Sequence, residues 1–455
     1  MNVYIVNIIK YYKYYKYMKT YLGGKLIGQG AHGCIFDKQL NCNASESLYK
    51  ITLNRFKHNL ITKMSLENVS GESLIEWDIS TLLKTIPNYS KYFRIPISNC
   101  VATISKEKLL GESNAELNEC KLYKDLLKMP NLNYNKDAKN YILKDSIGDS
   151  YMWPLRLYFS EKADVDFDTY LKNIKKNYIE YLYLPFIIQN IYSGIIHLHN
   201  IYIIHSDIKT HNLLINYKDN NYNTFMNFYN NITLCRISDF GISKDALIFS
   251  EKNISIHKKT EFINSFCKRF KFSYIILPPE FNIISHLVKY NKTKTKNELI
   301  YDITDAMNKY KLPFWDLKFI VSLVNRLYNK DTLDYNKVFK YFKIHWKKFD
   351  IYSFGLLIYV MFSNIDSNII INTTFGVFDY NIFKNTYIEL ATNLCNINPS
   401  KRYDTTKINI ILITIIDRFI YKNNNSNSNS NLFSNTYNNL SNSLSTNLSN
   451  NLSNN

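Results

Sequence analysis

"IIHSDIKTHNLLIN", residues 203–216, is apolar at both ends and polar in the middle. His205, Asp207, Lys209 and Asn212 interrupt what would otherwise be a core-forming run. The spacing gives each polar residue a chemical use. An aspartate can orient or accept a hydroxyl proton, a lysine two residues on can neutralise a transferring phosphoryl group, and an asparagine five residues on can offer its amide oxygen to a hard cation. Downstream, "ISDFGISK" adds Asp239, an acid between an apolar strand and a Phe-Gly turn. A carboxylate and an amide together suit Mg²⁺ beside phosphates.

The rest of the chain sets the frame for that cluster. Its 455 residues, 46% hydrophobic, can build more than one minimal core. The formal net charge of +18 would suit an anionic partner, but no RGG run, zinc motif or dense Lys/Arg tract accompanies it. The lysines come with a general enrichment in Asn, Ile, Lys, Tyr and Phe. Seven scattered cysteines with no CxxC predict reduced thiols and an intracellular, cytoplasmic location. No stretch approaches the roughly 18 apolar residues of a membrane span, and residues 1–20 lack the basic start and cleavage site of a signal peptide.

The order of elements suggests an α+β chain, strands first and helices after. Residues 25–36 read as strand, glycine turn and strand; residues 72–86, "ESLIEWDISTLLKTI", as a helix ended by Pro87. Residues 181–200 and 350–362 read as buried helices, and 216–231 as a long loop. From about residue 422 the chain is Asn/Ser low complexity and is expected to be disordered.

"GQGAHG" places Gly28, Gly30 and Gly33 in a GxGxxG, where glycines allow backbone N–H groups to approach phosphate. It is followed by the extended "CIF" and not by a helix, which disfavours a dinucleotide-binding fold. Lys50 in "LYKI" follows Gly33 by seventeen residues and is expected on a strand, with Glu72, Glu76 and Asp78 as candidate partners.

GxGxxG, Lys50, "HSDIKTHN", "SDFG", "LPPE", "DIYSFG" and "NPSKR" occur in one chain order, over about residues 24–420. That set resembles the protein-kinase signature. The Asn-rich bias and long insertions further resemble divergent serine/threonine kinases of large cytoplasmic DNA viruses. The resemblance implies a bilobal fold: a β-rich N-lobe over 21–160 with an insertion around 100–150, a helical C-lobe over 161–421 with an insertion around 284–345, an extension over 1–20 and the tail 422–455. It implies transfer of the γ-phosphate of ATP, with Mg²⁺, to protein hydroxyls. The runner-up is a dead pseudokinase scaffold.

Residue by residue, the resemblance implies that Gly28, Gly30 and Gly33 cover the ATP phosphates and Ile35 packs on adenine. Lys50 would hold the phosphates and pair with Glu76, or else with Asp78. Glu161 would begin the hinge, Ala163 would offer backbone hydrogen bonds to adenine, and Leu214 would complete the ATP site. Asp207 would be the catalytic base, Lys209 the phosphate stabiliser, and Asn212 and Asp239 the metal ligands. His205 and Phe240 would be internal supports, Glu280 and Arg402 a buried ion pair, and Asp350 a brace. Ser160 is the expected gatekeeper, with Phe159 its rival. Partners would be protein substrates, with a regulatory partner at the insertions.

Three departures stand out. Leu48 occupies the place of a small residue two before the lysine, PPE stands for APE, and seventy residues separate Glu280 from Asp350. Ser206 stands where kinases switched by activation-loop phosphorylation carry arginine. A hydroxyl cannot make a bidentate ion pair with phosphate, so phosphorylation of the 242–277 loop is not expected to be required.

Overall fold

The computed structural model describes residues 26–30, 33–37, 60–66, 72–105, 119–122, 124, 143–144, 151–174, 178–216, 234–267, 276–310, 317–363, 370–373 and 376–424. Two compact units divide the chain: 1–167 with 197–216 and 235–255, and 168–196 with 217–234 and 256–455. A single cut near residue 160 does not describe them, because the segments carrying Asp207 and Asp239 belong with the strands of the first unit. The extension 1–20, most of the 100–150 insertion, the 217–233 stretch and residues 425–455 lie outside the described residues.

In the first unit a six-stranded sheet runs β1 (Leu26–Gly30), β2 (Gly33–Phe36), β3 (Leu60–Leu66), β6 (Tyr151–Glu161) and β4 (Ser98–Ser105), with β5 (Leu143–Lys144) also pairing β6. Strand β3 alternates as period-2 geometry demands. Leu60, Thr62 and Met64 are buried, whereas Ile61 and Lys63 are half-buried on the opposite face. Gly33 is needed by this packing: a Cβ there would sit 2.2 Å from the Met64 carbonyl oxygen. Helix α1 (Glu72–Leu83) buries Glu76, Ile79, Ser80 and Leu83 and leaves Asp78 exposed.

Cys34 of β2 and Cys120 form a disulfide, with Cα atoms 5.9 Å apart. Cys100 is also disulfide-bonded. This corrects the expectation of reduced thiols, and with it the cysteine argument for an intracellular compartment. The pairing joins positions 86 residues apart, which spacing along the chain cannot reveal. Cys235, Cys267 and Cys395 are free and buried. No helix among the described residues is long and apolar enough to cross a membrane.

The second unit is mainly helical. The 17-residue helix Lys347–Ser363 is apolar on nearly every side and is buried accordingly. Gly355 lets it approach the helix Tyr380–Leu394: a Cβ would lie 2.5 Å from Leu394 Cβ. The 284–345 stretch forms the end of Pro279–Tyr290, then Lys296–Tyr310, Leu317–Leu327, a two-strand turn and Tyr335–His345. Its residues enter the core of the unit. Phe342 stacks on Phe281 at 5.7 Å and meets Phe266 and Phe349 edge-on at 5.6 and 5.7 Å. Such pairs contribute about 0.5–1.5 kcal/mol each beyond their buried area.

Candidate active site

The site grows from the register of β3. Lys63 lies opposite Ile35 of β2 and Tyr158 of β6, and Ile61 lies opposite Ser160. Cross-strand partners share a face, so Ile35, Ile61, Lys63, Tyr158 and Ser160 line one side of the sheet. Phe159 pairs with Thr62 and faces the other way, fully buried.

Lys63 donates to Glu76 Oε2 at 2.7 Å and to Asp239 Oδ1 at 2.9 Å. Burial works against its charge, but the Asp239 and Glu76 carboxylates outweigh it and hold the ammonium above its usual range. In return the Lys63 ammonium, first among several causes, holds the Asp239 carboxyl below the usual carboxylate range. Lys50, the lysine expected here, lies outside the described residues. The lysine that reaches Glu76 is Lys63, thirty residues after Gly33 rather than seventeen. Its signal was the short β-branched run "LITK" thirteen residues before Glu76. The longer stretch between β2 and β3 hid it.

The 203–216 segment brings its polar residues together as a unit. Lys209 Nζ donates to Asp207 Oδ2 at 2.8 Å. Asn212 Nδ2 donates to the same oxygen at 2.8 Å and to the Asp207 carbonyl at 3.0 Å. These bonds occupy the nitrogen end of the Asn212 amide and leave the oxygen as its ligating end. The Ser238 N–H and hydroxyl both bond the Asn212 carbonyl, at 2.8 and 2.9 Å, tying this loop to the residue before Asp239. His205 is fully buried: its Nε2 meets the Ser238 carbonyl at 3.0 Å and its ring packs edge-on against Phe240 at 4.9 Å. Phe93 also packs edge-on against Phe240, at 6.0 Å. Ser206 and Asp239 both adopt left-handed backbone, at φ 67° and 62°. This conformation is sparsely populated by non-glycine residues and concentrates at functional sites.

Asp239 is about half exposed. An ionised, partly exposed carboxylate and an amide oxygen fit Mg²⁺, which usually takes one or two protein ligands and keeps waters or phosphate oxygens for the rest. Among the described residues no group of three or more His, Cys, Asp or Glu could hold a metal ion alone.

Residues 117–263 match the family model of the protein kinase domain. The match covers under half of the 455-residue chain and supports a protein kinase, a phosphotransferase of the eukaryotic-type superfamily, with an α+β arrangement. It includes Glu161, Asp207, Asn212 and Asp239, but begins after Lys63 and Glu76, whose pairing is a finding of geometry. A comparison with curated proteins finds no match.

The remaining expected residues fall as follows. Ile35 is half-buried on the Lys63 face. Gly28 lies within β1 opposite Ile35, beside a register shift, and an added Cβ there would make only ordinary contact with Ile35. Gly30 pairs with Gly33 at the end of the hairpin. Leu214 is half-buried on the strand Leu213–Asn216, opposite Asp166. Glu161 ends β6 and pairs with Arg94, a residue the sequence reading did not single out. In the second unit, Arg402 donates to both Glu280 oxygens at 2.6 and 2.8 Å with neither side chain exposed. Burial opposes the Arg402 charge, yet Glu280 raises it above the usual value. Asp350 is fully buried in the first turn of Lys347–Ser363.

Proposed function

We propose that the protein is an active serine/threonine protein kinase that uses MgATP. The observation that carries this is the Lys63 ammonium held between Glu76 and Asp239, beside a loop in which Asp207, Lys209 and Asn212 share one carboxylate oxygen. In kinases the strand lysine paired with a helix glutamate and the Asp of the Phe-Gly turn must both be in place for transfer. Lys63 would neutralise the α- and β-phosphates, and Lys209 the transferring group. Asp207 would orient the acceptor hydroxyl and accept its proton. Mg²⁺, held by Asn212 and Asp239, would supply charge neutralisation across the phosphates. Lys209 two residues after the base favours Ser/Thr over Tyr acceptors. Ser160, on the Lys63 face, would be a small gatekeeper that admits bulky adenine analogues. The Asn-rich composition favours kinship with kinases of large cytoplasmic DNA viruses.

Activation-loop phosphorylation is not required in this reading. Besides Ser206 in place of arginine, the helix Ile256–Cys267 is already held by Tyr335–His345. Lys259 donates to Asn336 at 3.0 Å, Tyr335 to Asn264 at 3.3 Å, and Phe262 meets Phe339 edge-on. The test is transfer from labelled ATP to mixed protein acceptors by wild type, Asp207→Asn, and phosphatase-treated wild type. Transfer to Ser/Thr that is lost in Asp207→Asn and unchanged by phosphatase supports the proposal. No transfer by wild type would favour the pseudokinase. A tenfold loss on phosphatase treatment would overturn the regulatory part.

A further inference from the structure

Arg94 is 7% exposed and directs its guanidinium at two successive peptide carbonyls of the hinge and at one side-chain carboxylate. Nε donates to the Glu161 carbonyl at 2.9 Å, one terminal nitrogen to the Lys162 carbonyl at 2.5 Å, and the other to Glu161 Oε2 at 2.5 Å. Its own backbone is strapped down: the Arg94 N–H donates to the Ile237 carbonyl and the Ile237 N–H to the Tyr92 carbonyl, both at 2.8 Å. Beyond the hinge the Asp164 N–H donates to the Ile215 carbonyl at 3.0 Å. Ala163 therefore lies between two anchored groups, the Lys162 carbonyl before it and the Asp164 N–H after it.

The Lys162 carbonyl and the Ala163 N–H belong to one planar peptide unit. A charged donor on the carbonyl polarises that unit and makes its N–H a stronger donor, because chained hydrogen bonds reinforce one another in a low-dielectric setting. It also fixes the direction of the N–H, which removes the entropy of ordering it at binding. We propose that Arg94 is a positioning residue for nucleobase recognition, acting through the Lys162–Ala163 peptide to orient and strengthen the Ala163 N–H toward a ring nitrogen of adenine. This rests on the nucleotide-binding reading above. Lysine cannot replace Arg94, since one ammonium cannot span two carbonyls and a carboxylate in a fixed fork.

The acceptor on the Watson–Crick edge of adenine is N1, so the probes are MgATP and Mg-1-deaza-ATP, in which carbon replaces that nitrogen. Calorimetric titration of the full chain compares wild type, Arg94→Lys and Arg94→Gln, with melting temperatures confirming the fold. The expected result is MgATP binding weakened about tenfold and 1-deaza-ATP binding changed less than twofold. Glu161→Gln, which loosens the fork from its carboxylate end, should shift the same ratio by about two- to threefold and serves if the arginine variants do not fold. Equal weakening for both nucleotides, or undiminished MgATP binding in folded variants, overturns the proposal while leaving the kinase reading intact. Wild type that binds neither nucleotide overturns both.

Discussion

Lys63→Met tests the register of β3 directly. The variant keeps the apolar stem and removes the ammonium that lies 2.7 Å from Glu76 and 2.9 Å from Asp239. The Glu76 side chain is only 9% exposed, so losing its cation costs about 1.5–3 kcal/mol, the range for a charge-assisted bond to a buried group. The Asp239 side chain is 48% exposed, and solvent screening makes its share small. A stability loss of about 2 kcal/mol is expected, read by denaturant unfolding at neutral pH. The loss of phosphoryl transfer should be larger, about 100-fold or more, because a preorganised charge at the phosphates acts on the transition state. The pH dependence carries a sign. Asp239 is depressed chiefly by Lys63, so its stabilisation is full above the unfolded carboxylate value of about 3.9 and is lost as pH falls through the lower folded one. The small Asp239 share of the stability gap between wild type and Lys63→Met should thus hold from pH 8 to about 5 and be lost below about 4. Lys50→Met is the control and should retain activity within about twofold. Lys63→Met with more than a tenth of wild-type transfer, alongside a dead Lys50→Met, would refute the assignment.

Three further perturbations follow from the packing. Arg402→Met should destabilise by about 3–5 kcal/mol by stranding the buried Glu280 carboxylate, and adding Glu280→Leu should recover much of that loss; a double variant no more stable than the single one, in denaturant melts, would contradict this. Cys120→Ser should cost about 2–4 kcal/mol, since it opens an 86-residue closure, and a titration finding seven free thiols in the unfolded, unreduced wild type would remove its basis. Burial, helped by Arg326 and Arg402, pushes His345 down to about 4, so its neutral form stabilises the fold above about pH 6.5 and that contribution is lost as pH falls toward 4. With screening at this half-buried site the change is about 1 kcal/mol; His345→Gln should flatten that window, and an unchanged pH profile would exclude the residue as its source.

The candidate site was legible wherever a polar residue broke an apolar run. Asp207, Lys209 and Asn212 sit within six residues, so local spacing grouped those three, and Asp239, 27 residues beyond Asn212, joined them through the order of motifs and not through spacing. Glu76 and Asp78 could not be ranked along the chain with the same security, and the helix decided by burying one and exposing the other. Lys63 was hidden because a lysine on a strand acquires its partner from pairing. Only the register Ile35, Lys63, Tyr158 sets which face it takes, and a slip of one residue would turn it to the other side. Arg94, the Cys34–Cys120 bond and the entry of Phe342 into the core have the same origin: each joins residues far apart in sequence. The sequence by itself determined the chemistry available and its order along the chain. Tertiary structure alone decided which lysine, which cysteines and which arginine meet, because those contacts depend on strand register and helix packing, which no local spacing encodes.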